Sequence, residues 1–383
     1  MSARRSIALG GTPMSSVLDP LFKPFSLKTL SVPNRFVMAP MTRGKSPGQV
    51  PTAEVAAYYR RRVEGGVGLI VTEGTVIDHP ASDADAGVPR FYGADALAGW
   101  AGVVKEVKAA GGHIVPQIWH VGTARRQAAA RHPDALSIGP SGLSRPGKQV
   151  NQPLGESEIA DLIAAYASAA ADARRLGFDG VELHGAHGYL IDQFFWEATN
   201  QRTDAFGGSL IARTRFGADV VRAVREAVGP DFPLILRWSQ WKQQDDAAKL
   251  AATPELLEEF LAPLTDAGVD IYHCSQRRFW EAEFEGSDMN LAGWVKKISG
   301  KPTITVGSVG LSTDFITSFA AADQVGATGK DLAGLAARFE RGEFDLVAVG
   351  RALIANPDWV NRVRAGDIDG LKGYDPASLA TLY

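Results

Sequence analysis

Two imidazoles and a phenol, His184, His187 and Tyr189, stand close together within residues 177–194, G-F-D-G-V-E-L-H-G-A-H-G-Y-L-I-D-Q-F. Residues 181–184 read as a short buried strand. Alternation along it sends Glu182 and His184 to one face and Val181 and Leu183 to the other. The strand is expected to break into Gly185-Ala186-His187-Gly188-Tyr189, where glycine lets the backbone turn sharply and a flat ligand come close. Three polar rings just past a strand end have the chemistry of a binding site, and a phenol can donate a proton without help from a metal. Two other readings fit the same residues. A histidine near a strand end is most often a buried group bonded to backbone. Glu182, His184 and His187 could also ligate zinc. No second His or Asp cluster supplies further ligands, so an organic ligand is the better reading and no metal is expected.

Positioning such a turn requires a frame, and the chain supplies a regular one. Apolar strands are predicted at 34–41, 68–76, 113–119, 181–184, 233–238, 270–275, 302–306 and 346–349. Between them helices are predicted at 52–64, 95–110, 157–176, within 208–228, at 253–267 and 291–299, with a last one opened by Asn356-Pro357. Thr52 and Ser157 read as N-caps, and Gly65, Gly177 and Gly268 as stops. A long polar loop covers about 122–155. Eight strands alternating with helices predict an α/β fold of the (β/α)8 TIM-barrel class, a single domain over 18–383 behind a flexible tail at 1–17. An open doubly wound sheet is the alternative, but no G-x-G-x-x-G follows a first strand.

Barrel enzymes carry their sites at the C-terminal strand ends. There the sequence places Pro40-Met41-Thr42, Glu73-Gly74-Thr75, Gln117 with Trp119, Arg237, Gly307-Ser308 and Gly350-Arg351. The last two groups fall in the loops after strands seven and eight, where this fold commonly binds phosphate through backbone N–H groups and a guanidinium. A phosphate on one side of the mouth and polar rings across it suggest a phosphorylated cofactor between them.

The net charge of −3 argues against nucleic acid or an anionic membrane surface as partner. No apolar run is long enough to span a membrane. The one cysteine, Cys274, excludes an intrachain disulfide framework and a protein-ligated iron–sulfur cluster. Arg4-Arg5 lacks the apolar segment an export signal needs, so a cytoplasmic location is expected.

The segments N-R-F-V-M-A-P-M-T-R, V-T-E-G-T, Q-I-W-H-V-G, V-E-L-H-G-A-H-G-Y-L-I-D-Q-F, R-T-D-A-F-G-G-S and V-G-R-A-L-I-A-N-P-D resemble the Old Yellow Enzyme family over about 18–358. The resemblance implies a barrel holding non-covalent FMN, reduced by NADH or NADPH, that acts as an ene-reductase on small activated alkenes, as monomer or homodimer. Thr42 would sit at the flavin N5/O4 edge, Gln117 at the pyrimidine and Arg237 at N1/O2. Pro40, Met41 and Gly74 would contact the ring through backbone. Gly307, Ser308, Gly350 and Arg351 would hold the phosphate. His184 and His187 would bind the substrate oxygen, Tyr189 would protonate the α-carbon, and Trp119, Phe279 and Trp280 would wall the pocket. The stretch after Arg237, W-S-Q-W-K-Q-Q-D, departs from the shorter S-P turn common in that family and is expected to form a distinctive loop. A metal-dependent barrel hydrolase, and an FMN-binding barrel without ene-reductase activity, remain the competing readings.

Overall fold

The structure is a computed structural model, and it describes residues 17–311 and 329–383. Eight parallel strands close into a barrel. They are β1 (Phe36–Met38), β2 (Leu69–Val76), β3 (Ile114–Trp119), β4 (Val181–His187), β5 (Leu234–Lys242), β6 (Ile271–Ser275), β7 (Thr303–Val306) and β8 (Leu346–Val349). Each pairs with the next, and β8 closes onto β1. The predicted strands and their order therefore stand, with two corrections. β4 does not break at Gly185 but runs on to His187. β5 runs to Lys242, so most of the expected loop after Arg237 is strand. The expected tail at 1–17 lies outside the described residues except for Val17, which packs against the core.

Apolar residues divide between two cores. Inside the barrel, Val37, Leu69, Val71, Val115, Ile235, Ile271, Ile304, Leu346 and Ala348 fill the N-terminal half. An antiparallel hairpin, Phe25–Leu27 with Leu30–Val32, adds Phe25, Leu30 and Val32 to the same cluster and plugs that end. Outside, the opposite faces of the strands pack on the helices α1 (Ala53–Glu64), α2 (Ala94–Ala109), α3 (Glu156–Arg175), α4 (Arg215–Val228), α5 (Pro254–Ala267), α6 (Leu291–Ser299) and α7 (Gly329–Glu340). In α4, Phe216, Val220, Val221, Val224 and Val228 are buried at three- and four-residue spacing, the stripe a helix needs to cover a sheet. Each such side chain contributes about 1.5–3 kcal/mol by leaving water. The long loop after β3 contains a small hairpin, Leu143–Arg145 with Lys148–Gln149.

The helix stops follow local chemistry, but neither Ser157 nor Thr52 caps its helix with its side chain. Gly177 and Gly268 take left-handed backbone after α3 and α5, at φ 85° and 117°. Ser157 is not the cap of α3. Gly155 holds that position, and Glu158 reaches back to accept its N–H at 2.8 Å. Thr253 caps α5 by accepting from Leu256 N–H at 3.3 Å, whereas Thr52 precedes α1 with its buried hydroxyl unpartnered. Thr253→Ala should cost about 1 kcal/mol in urea unfolding, and Thr52→Ala close to nothing. Equal costs would show that Thr52 caps its helix as well.

Candidate active site

Alternation along the strands turns the barrel interior from apolar to polar towards its C-terminal mouth. Val115 is followed inward by Gln117, Ile235 by Arg237, and Ile271 by His273 and Ser275, while Glu182 and His184 come from β4. These side chains form one buried network. Gln117 Nε2 donates to Glu182 Oε1 at 2.8 Å. Glu182 Oε2 lies 2.6 Å from His273 Nδ1, and Arg237 donates to His273 Nε2 at 2.6 Å. A guanidinium has no acceptor, so Nε2 carries no proton and the Nδ1 proton goes to Glu182. A carboxylate and a cation are thus joined through a neutral imidazole. Burial first, and Arg237 second, push His273 down to about 4 against the opposing pull of Glu182. Burial also lowers Arg237, to about 10, which leaves it charged at neutral pH.

The network bears on the metal reading through Glu182. Both oxygens of Glu182 are committed to Gln117 and His273, away from His187. Among the described residues no group of three His, Cys, Asp or Glu could hold a metal ion.

Above the network lie the rings. The pairing of β4 with β5 shifts register between Gly185 and His187, and His187 takes a φ of 63°. Gly188 follows at 77°, so the chain turns back over the mouth. His184 contacts His187 edge-on at 5.2 Å between centroids and Tyr189 at 5.0 Å. Trp119 stacks along His184 at 5.9 Å and meets Tyr189 edge-on at 4.8 Å. A Cβ on Gly74 would lie 2.5 Å from the Trp119 ring, which is why the motif V-T-E-G-T needs glycine there.

Protonation states follow from contacts. Ala186 N–H points to His184 Nδ1 at 3.3 Å, so the neutral ring keeps its proton on Nε2. His187 Nε2 lies 2.7 Å from Ser275 Oγ, which in turn receives Arg237 at 3.4 Å. Burial drives both histidines well below their ordinary value, with Arg237 adding to it for His184 and His184 for His187. Both are neutral donors at pH 7. Burial raises Tyr189, and a hydrogen bond from Gln243 opposes that rise.

The rim comes from β1, β7 and β8. Pro40 and Met41 are half-buried and Thr42 is exposed. The segment is fixed by Glu73, which accepts Arg43 N–H at 2.9 Å and Gly44 N–H at 3.0 Å, and which burial pushes up to about 7. Gly307, with φ 153°, has its Cβ position 2.6 Å from Gln276 O, and Ser308 donates to Arg277 O at 3.0 Å. Gly350 and Arg351 open the short helix Arg351–Ala355 after the neighbouring strand, so both turns border one edge of the mouth. Arg237 Nε is buried without a partner, an unused donor that suits the acceptor atoms of a flat, anionic-capable ring.

The structure thus gathers His184, His187, Tyr189 and Trp119, with Gly74 against the Trp119 ring and Ser275 and Arg237 linked to His187. It does not bring Phe279 and Trp280 into that ring cluster. They meet each other edge-on at 5.0 Å, and Phe279 is 1% exposed within the outer core. Sequence reasoning missed His273 and Ser275, although I-Y-H-C-S places both on the inward face of β6 by alternation alone. It also missed Trp241, Lys242 and Gln243, because their partners lie on β4 and the turn behind it.

Comparison with known proteins agrees with this geometry. Residues 20–369 match the model of the NADH:flavin oxidoreductase / NADH oxidase family. The chain is 34% identical over 365 residues to 12-oxophytodienoate reductase 7 of Oryza sativa subsp. japonica, covering 90% of this chain and 88% of that protein. It is 32% identical to the NADH oxidase of Thermoanaerobacter brockii over 90% of its own length, but spans only 51% of that longer relative. Morphinone reductase solved with tetrahydroNAD superposes with a TM-score of 0.77 at 30% identity, covering 94% of this chain and 93% of that one.

The buried His273 makes folding pH-dependent. Its value of about 4 lies below the unfolded 6.5, so its contribution is present above pH 6.5 and is lost as pH falls through 4. His273→Gln keeps a donor and an acceptor but cannot titrate. Between pH 7 and 4 the variant should lose less stability than the parent, by up to about 3 kcal/mol in urea unfolding. Identical pH profiles would mean that His273 is not held neutral.

Proposed function

Proceeding from a chain that belongs to the NADH:flavin oxidoreductase / NADH oxidase family, the Old Yellow Enzyme group, and is an FMN-dependent NAD(P)H oxidoreductase, we propose that it reduces the C=C bond of small alkenes activated by a carbonyl, imide or nitro group. The observation that carries this reading is the convergence of His184, His187 and Tyr189 at the barrel mouth, where β4 pairs with the strand bearing Arg237. When bound, FMN would supply the hydride chemistry between NAD(P)H and the alkene β-carbon.

Everything else falls to the protein. Arg237 offers a buried cation and a free Nε–H to the side of the ring that gains negative charge on reduction. Gln117, tied by its amide N–H to Glu182, would offer its carbonyl end to the pyrimidine. Pro40, Met41, Thr42 and Gly74 would border the flavin ring, and Gly307, Ser308, Gly350 and Arg351 would hold the phosphate. His184 donates from Nε2 to the substrate oxygen. Ser275, accepting from Arg237, can donate its own O–H hydrogen bond to His187 Nε2, which leaves the N–H on the other ring nitrogen as the second donor. Neutral donors stabilise the developing enolate or nitronate oxygen without delivering a full proton to it. Tyr189 then supplies the proton to the α-carbon. Trp119 walls the pocket.

Tyr189→Phe retains the ring and removes the acid. Reduction by NAD(P)H should proceed at nearly the parent rate, while reoxidation by cyclohexenone slows about 10²–10⁴-fold. A nitroalkene should suffer less, since its nitronate can leave and take a proton from water. Stopped-flow traces of both half-reactions decide this. Equal losses in both would indicate a distorted site, and no loss would assign the proton to water. For the cofactor, Arg351→Ala should weaken FMN binding by about 1.5–3 kcal/mol, read by fluorescence titration of apoprotein. Unchanged affinity would remove Arg351 from the phosphate site.

A further inference from the structure

The extension of β5 beyond Trp238 is the feature the reaction above leaves unused. Lys242 N–H and Asp245 O, with Asp245 N–H and Lys242 O, close a tight turn at 2.9 and 3.2 Å that carries Gln243 and Gln244 at its tip. The turn is anchored from below by Lys242, whose Nζ meets Asp192 Oδ1 at 2.6 Å and Ser239 O at 2.9 Å. Both charged groups are fully buried. The other oxygen of Asp192 accepts Gly188 N–H at 2.7 Å, so one carboxylate grips both the extension and the turn that precedes Tyr189. Gln244 fills the space over Gly188, where a Cβ would sit 2.0 Å from its Oε1. Trp241 lies against His187 at 4.6 Å and donates to Ser275 O at 3.1 Å. With the strand fixed at these points, Gln243 Nε2 donates to Tyr189 Oη at 2.9 Å.

We propose that Gln243 is a positioning residue for the proton donor: its amide occupies the acceptor side of the Tyr189 oxygen and directs the phenolic proton to the substrate. The proposal rests on the ene-reductase reading. In the step, the Tyr189 O–H bond breaks and a C–H bond forms at the α-carbon, using the electron pair left by hydride addition at the β-carbon. Negative charge then appears on Oη, where the Gln243 N–H already points, and water restores the proton afterwards. An N–H in place before the charge develops needs no reorganisation when it does. The titratable and charged groups around the phenol are His184 and His187 from β4, both neutral, and Arg126 from the loop after β3. Arg126 acts at longer range, which leaves Gln243 as the direct hydrogen-bond donor. Gln243 is exposed, so its substitution leaves the core untouched.

The test is single-turnover reoxidation of reduced holoenzyme by cyclohexenone across pH, for the parent, Gln243→Ala, Gln243→Glu, Tyr189→Phe and the Gln243→Ala/Tyr189→Phe double variant. Gln243→Ala should slow reoxidation about tenfold, the value of one hydrogen bond to a developing charge. It should leave reduction by NAD(P)H and the dissociation constant for p-chlorophenol unchanged. Gln243→Glu should be slower at neutral pH, because a carboxylate accepts the phenolic proton instead of donating, and should recover as pH falls through the carboxyl range. A structural defect would not show that recovery. In the double variant the Gln243 loss should vanish, since no phenol remains to be positioned. Full activity of Gln243→Ala beside a slow Tyr189→Phe overturns this proposal and leaves the function intact. Losses that add in the double variant overturn it too. A Tyr189→Phe variant that reoxidises normally assigns the proton to water; this proposal then falls with the role of Tyr189, while the alkene reduction itself stands.

Discussion

A cation and a carboxylate enclosed in the same barrel have to compensate each other, because neither can recover its hydration there. Glu182 is fully buried and Arg237 is 7% exposed, and each hydrogen-bonds to His273. His273 stands between them and must stay neutral with its proton on Nδ1 to satisfy both. A protonated His273 would have no acceptor to offer Arg237, and removal of Glu182 would leave a buried cation beside an unpaired imidazole. Losing one partner of such a set typically costs 3–5 kcal/mol. The polar half of the barrel is therefore stable only as a unit. Its upper surface is the floor on which Gln117, Arg237, Ser275 and His187 present their remaining groups.

The apolar half makes that unit possible. The hairpin and the lower strand residues seal the N-terminal end, so the polar layer opens in one direction only. A charged guanidinium facing a low-dielectric floor and an open mouth acts on whatever occupies the mouth more strongly than it would in water. The histidines of the rim share this environment. Burial keeps them neutral, which leaves each ring a hydrogen-bond donor beside the Tyr189 phenol. All three groups lie within six consecutive residues, on one strand end and its turn.

That turn is strained locally and supported from outside. His187 sits in left-handed backbone, a conformation that costs a non-glycine residue of order 1 kcal/mol or more. The register shift between Gly185 and His187 brings Lys242 opposite His187, and the buried Lys242–Asp192 pair then ties the turn to β5. Strain at the site is offset by a strand that in sequence looks like a loop.

The sequence by itself determined the order of strands and helices, and the residues at each strand end. Both are local properties. A buried strand and an amphipathic helix differ in period, and glycine marks where the chain must turn, as at Gly177 and Gly268. It also placed His184, His187, Tyr189 and Trp119 at the mouth, because the barrel puts every strand's C-terminal end there. Tertiary structure decided what those residues are bonded to. His273 lies 91 residues from Glu182, and Gln117 lies 65 from it. Such pairs exist only once the sheet has closed with a given register, and register is set by packing summed over all the strands. The same reason hid the end of β5. A lysine within an apolar run reads as an exit to solvent, and only Asp192, 50 residues earlier, makes Lys242 a buried strand residue.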